Sequence, residues 1–203
     1  VKICSSAIIK SPDNIILKMT YGRSLFANKE YSKSYNIFIN LKDKNFPYIH
    51  HMLGNFYNYG LGIEQNYKES FKWYFIAAKS DYFPSQHAVG DAYNKGQGVE
   101  LDLNEAIKWY KYAAYQGYVH AQYKLGQAYF YGEGVEIDYA EAIKWYKLAA
   151  DQGHIYSQYN VGYAYNDGLG VKQDYTEAFK WYKLAADQEN SYAQIYVANA
   201  YLI

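Results

Sequence analysis

Residues 119–154 read VHAQYKLGQAYFYGEGVEIDYAEAIKWYKLAADQGH, two helical patterns on either side of a break. In the first, Ala121, Leu125, Ala128 and Tyr129 fall at i, i+4, i+7 and i+8, one stripe of a helix. Gly126 and Ala128 are small, which lets a neighbouring helix approach closely. A glycine inside a helix costs about 1 kcal/mol against alanine, so its presence there asks for a packing reason. Gly132-Glu-Gly134 supplies freedom for positive φ and ends the helix. Asp138 opens the second helix, with Glu141 three positions on in the manner of a capping box. Ala142, Tyr146 and Ala149 give its inward stripe, flanked by Ile143 and Ala150, and Gly153 stands where a glycine closes a helix.

This unit recurs. Trp73, Trp109, Trp145 and Trp181 are 36 residues apart, and Gly54, Gly90, Gly126 and Gly162 keep the same interval, with Ala198 in the next place. So do Tyr57, Tyr93, Tyr129 and Tyr165, and the glycine pairs at 60/62, 96/98, 132/134 and 168/170. The capping pattern returns as Asn66/Glu69, Asp102/Glu105 and Asp174/Glu177, and Gly117 matches Gly153, whereas Asp81 and Glu189 replace that glycine. Full repeats are read over 47–82, 83–118, 119–154 and 155–190. A divergent repeat over 12–46 precedes them: Tyr31, Tyr35, Ile37 and Phe38 align with Tyr67, Phe71, Trp73 and Tyr74, and Gly22 aligns with Gly54 once four loop residues are removed. Residues 191–203 read as a lone terminal helix, and 1–11 as an N-terminal extension to a single repeat domain over 12–203. One hairpin cannot bury both of its stripes, so hairpins must stack: the expectation is an all-α solenoid of about five helix-turn-helix repeats.

Composition narrows the function. Twenty acidic and twenty basic side chains cancel, so no long-range attraction to nucleic acid or anionic membrane operates. Arg23 is the one arginine among those twenty, which argues further against phosphate recognition. The 28 tyrosines carry much of the apolar surface and exclude a disordered chain. No apolar run is long enough to span a membrane. Cys4 is the single cysteine, so an internal disulfide is impossible, which suits a reducing compartment such as the cytoplasm.

The stretch AQYKLGQAYFYGEGV at 121–135, followed by EAIKWYKLAADQG at 141–153, resembles the Sel-one-like repeat, a relative of the tetratricopeptide repeat. The likeness is specific over 47–201 and looser over 12–46. It implies an α/α right-handed superhelix that acts as an interaction scaffold and is not an enzyme. A cysteine-rich branch with a disulfide in each hairpin is not supported, because those cysteines are missing. In such superhelices the first helix of each pair lines a concave groove, at offsets −3, +1, +4 and +5 from the helix glycine. These offsets select His51, Asn55, Asn58 and Tyr59; His87, Asp91, Asn94 and Lys95; Tyr123, Gln127, Phe130 and Tyr131; and Tyr159, Tyr163, Asn166 and Asp167. Rings offer contact area and amides bond a peptide backbone, so the expected ligand is an extended peptide or partner protein.

Other chemistries weaken on inspection. The paired glycines follow a helix rather than a strand, so they read as a turn and not a phosphate loop. Asp138 and Glu141 recur along the array as caps do, and active sites are rarely copied in this way. His51 and His87 are expected to be solvated groove residues, not a metal bridge, since zinc needs four close ligands. No cofactor is expected. The alternatives are a glycan-binding module, in which tyrosines stack on sugar rings, and a regulatory repeat region of a longer protein that carries a catalytic domain such as a kinase.

Overall fold

The computed structural model describes residues 13–200, so Cys4 and the N-terminal extension lie outside the described residues. Among the described residues there are eleven α-helices and no strand, in two compact units that divide after Leu101. The first unit holds α1 (Ile15–Ala27), α2 (Tyr31–Ile39), α3 (Pro47–Tyr59), α4 (Tyr67–Ala78) and α5 (Phe83–Lys95). The second holds α6 (Leu103–Tyr115), α7 (Val119–Tyr131), α8 (Tyr139–Ala150), α9 (Ile155–Asp167), α10 (Tyr175–Ala186) and α11 (Ser191–Ala200). Within each unit consecutive helices pack as antiparallel pairs, and each pair stacks on the next.

Helix starts follow the capping residues. The side chains of Asn66, Asp102, Asp138 and Asp174 accept from the backbone N–H of Glu69, Glu105, Glu141 and Glu177 at 2.9–3.0 Å. Only half of the capping box forms. Each glutamate turns forward to the lysine three residues on, Lys72, Lys108, Lys144 or Lys180, and leaves the cap N–H to the preceding helix. The N–H groups of Asn66, Asp138 and Asp174 donate instead to the carbonyls of Tyr57, Tyr129 and Tyr165. That exchange ties the start of one helix to the end of its partner. Asp81 and Glu189 take the left-handed conformation of Gly117 and Gly153, with φ of 56° and 67°, so the helix stop survives the change of residue.

The helix glycines have a definite partner. A Cβ on Gly126 would lie 2.4 Å from the ring of Tyr146, and one on Gly54 would lie 2.4 Å from the ring of Tyr74. Tyr182 faces Gly162 in the same way, and Phe38 faces Gly22. Close approach is therefore not small residue against small residue; an aromatic ring from the second helix fills the notch in the first. The Gly22–Phe38 pair is four residues closer in sequence than Gly54–Tyr74, as the shorter loop of the divergent repeat requires. Ser34 and Ser70 add hydroxyl bonds to the carbonyls of Gly22 and Gly54.

Contacts between pairs are polar as well as apolar. Gln86, Gln122, Gln158 and Gln194 donate to the carbonyls of Ala78, Ala114, Ala150 and Ala186, so each seals the end of the preceding helix. His50 takes this role earliest in the chain, 2.9 Å from the Lys42 carbonyl. The second glycine of the paired-glycine loop docks on the preceding pair: Gly134, at φ 73°, would bring a Cβ to 2.8 Å from the Leu103 backbone.

His51 corrects an expectation. It is not a solvated groove residue but is packed between the rings of Tyr74 and Tyr82, with Nδ1 2.8 Å from the Ser85 hydroxyl. The sequence offset places it correctly on α3, but two neighbouring aromatics enclose it. Burial holds its pKa down to about 4, so the imidazole stays neutral in the folded protein.

Two predictions follow from this packing. Gly126→Ala drives a methyl group into the Tyr146 ring, and overpacking of this kind outweighs the gain in helix propensity, lowering stability by about 1–3 kcal/mol. An unchanged urea midpoint would contradict the notch. For His51, the unfolded chain takes up a proton near pH 6.5 and the folded one only near 4. Its contribution is therefore complete above about pH 6.5 and is lost as pH falls towards 4, by roughly 3 kcal/mol at most. His51→Asn should flatten the fall in unfolding free energy between pH 7.5 and 4.5, measured against wild type.

Candidate functional site

The selected positions form a face in each unit, and the two faces differ in chemistry. In the first unit His51, Asn55, Asn58 and Tyr59 lie on α3, and His87, Asp91, Asn94 and Lys95 on α5. Tyr59 and Lys95 are exposed, and the others are partly buried. Asn55 accepts the Tyr74 hydroxyl at 2.6 Å, so the ring that fills the Gly54 notch also fixes an amide on the face. Asp91 lies 3.7 Å from Lys95 and 3.9 Å from His87. Among the described residues no group of three or more His, Cys, Asp or Glu side chains is placed to hold a metal ion.

The second unit is far more aromatic. Tyr123, Gln127, Phe130 and Tyr131 project from α7, and Tyr159, Tyr163, Asn166 and Asp167 from α9. Gln127 donates to the Tyr123 hydroxyl at 3.1 Å, and Tyr123 packs on His154 with centroids 4.6 Å apart. Tyr131 is 60% exposed. The Phe130 ring lies 5.0 Å from Tyr131, 6.2 Å from Tyr163 and 6.3 Å from Tyr146, tilted against each. Together Phe130, Tyr131, Tyr146, Tyr159, Asn160 and Tyr163 line an open cavity of about 280 Å³.

Two of the six were not among the offsets. Tyr146 reads as core in the sequence and is buried, yet it fronts both the Gly126 notch and the cavity. Asn160, which lines the cavity with Tyr146, sits two residues before Gly162, where the other repeats have Met52, Ala88 and Lys124. A position without a repeating residue type carries no periodic signal.

Burial and nearby carboxylates together raise the phenols of this cavity. Asp167 stands one helical turn after Tyr163 on α9, and its carboxylate holds that phenol above its ordinary range. Burial raises Tyr159, with Asp167 adding to the effect. Burial likewise raises Tyr146, and Glu133 adds to it. At Tyr48 burial raises the phenol as well, and the Arg23 cation opposes that rise. Asp167 is oriented by Asn166, whose amide donates to it at 2.6 Å, while Asn166 accepts from the Tyr196 hydroxyl at 2.8 Å. Rings, amides and fixed carboxylates suit reversible binding.

Comparison with known proteins places these features in a family. Residues 48–82, 84–118, 119–154 and 155–190 each match the Sel1 repeat. The fold resembles a Sel1 repeat protein from Oxalobacter formigenes, with TM-score 0.84, 31% identity, and coverage of 91% of this chain and 73% of that one. It also resembles c5321, a protective antigen of uropathogenic Escherichia coli with an SLR fold, with TM-score 0.85 and 32% identity over 90% of this chain. This chain spans only 40% of that antigen. YrrB, a TPR protein with an unusual peptide-binding site, shares the fold at TM-score 0.57 and 17% identity, covering 97% of both chains. No curated protein matches the sequence. No helix among the described residues is long and apolar enough to cross a membrane. Four matched repeats, together with helical pairs that stack as those relatives' pairs do, establish that the chain belongs to the Sel1 repeat family.

Proposed function

We propose that this protein is a non-catalytic binding module that takes an extended segment of a partner protein on the exposed face of its first helices. Sel1 and TPR-like repeats serve in general as protein-interaction scaffolds and are typically not catalytic. The observation that carries the finer reading is the aromatic cavity of the second unit, in which Phe130, Tyr131, Tyr159 and Tyr163 meet between α7 and α9. Tyrosine is common among interface anchors, because a large ring with few rotatable bonds loses little entropy on contact. The pocket is held by packing on both sides, so its shape exists before binding and little ordering is needed. In the first unit Asn55, Asn58, Asn94 and Tyr59 offer amides and one exposed ring.

Peptides selected on the wild-type chain from a displayed library provide the probe. Replacing Tyr131 and Tyr163 together by alanine should weaken their binding by about 2 kcal/mol, while far-ultraviolet circular dichroism stays the same. Equal affinity for the double variant would remove this reading. Enrichment on a glycan array, with none in the peptide library, would favour a carbohydrate ligand instead.

A further inference from the structure

We infer that the aromatic cavity of the second unit receives a basic side chain of the partner segment, with arginine the best fit, through ring faces and the Asp167 carboxylate. The inference rests on the binding reading above and adds the chemistry of the residue that anchors there. Size comes first. A volume of about 280 Å³ falls at or below the range of roughly 300–1,000 Å³ typical of sites for drug-sized ligands, so one side chain is a suitable occupant.

Chemistry follows from the lining. Four of the six residues are tyrosines and a fifth is phenylalanine, and a ring face carries negative charge density that attracts a cation. Tilts of 71° at Tyr131 and 52° at Tyr146 and Tyr163 set the Phe130 neighbours at angles, forming walls rather than a flat stack. A guanidinium is planar and weakly hydrated, and it stacks on such faces more readily than an ammonium does.

Charge points the same way. The charged groups acting on the pocket phenols are Asp167 and Glu133, and both are acidic. Asp167 is moreover poorly placed for stability. It is the last residue of α9, where the partial negative charge of the helix end disfavours a carboxylate. The equivalent residue of α5 is Lys95, which suits a helix end. A carboxylate that works against its own helix, aimed by Asn166 and set one helical turn from the pocket residue Tyr163, is accounted for by an incoming cation.

The test uses the full chain and the peptides selected on it. Arginine in each bound peptide is exchanged for citrulline, which keeps the planar shape but removes the charge and replaces one donor nitrogen with a carbonyl oxygen. Wild type should lose about tenfold in affinity on this exchange, and the loss should shrink in high salt. In Asp167→Asn the discrimination between arginine and citrulline should fall several-fold. Its urea midpoint should equal or exceed that of wild type, whereas a purely structural Asp167 would lower it. Peptides that depend on Tyr131 and Tyr163 but bind equally well with citrulline, or that contain no basic residue, would overturn the cation and leave the peptide site standing. Peptides indifferent to both tyrosines, or no enrichment at all, would overturn both.

Discussion

The contact between a tyrosine ring and a helix glycine governs the rest of this molecule. With no Cβ at Gly54, Gly126 or Gly162, the first helix of a pair has a notch one side chain deep, and Tyr74, Tyr146 or Tyr182 occupies it. The ring sets both the separation and the register of the two helices, because sliding either one by a residue would put a Cβ where the ring lies. Buried alanines such as Ala142 and Ala149 then close the surface around it. Interiors packed at this density leave little room for adjustment, so the notch specifies the hairpin as well as stabilising it.

The same ring connects the core to the face that the first helices present. A tyrosine long enough to fill the notch carries its hydroxyl beyond it. In the first unit that hydroxyl meets Asn55. In the second the tyrosine lines the aromatic cavity together with Asn160. Phenylalanine would fill the notch equally well, as Phe38 does against Gly22. The preference for tyrosine in the later pairs thus brings a polar anchor to the surface along with the packing.

Much of this was legible in the sequence, for a physical reason: stacked identical units impose identical demands at a fixed interval. Caps, breaks and stripes could be read at 36 residues because each answers to local backbone geometry. The partner of the glycine was not legible, since Gly126 and Tyr146 are joined across a hairpin and no helical period connects them. The carbonyl-sealing role of Gln86, Gln122, Gln158 and Gln194 keeps the interval but is interrupted at His50, which does the same work with a ring nitrogen. His51 was misjudged because its burial depends on Tyr74 and Tyr82, which come from elsewhere in the chain. Asn160 escaped because nothing repeats it.

A repeat that fixes its core tightly is free to vary its face. The last selected position of each first helix is Tyr59, Lys95, Tyr131 and Asp167 in turn: ring, cation, ring, anion. None of these four contributes to the notch, so a change in any of them leaves the hairpin intact and alters only what that repeat presents. The two units are accordingly unlike where they are exposed, amide-rich with a paired Asp91 and Lys95 in one, aromatic and acidic in the other.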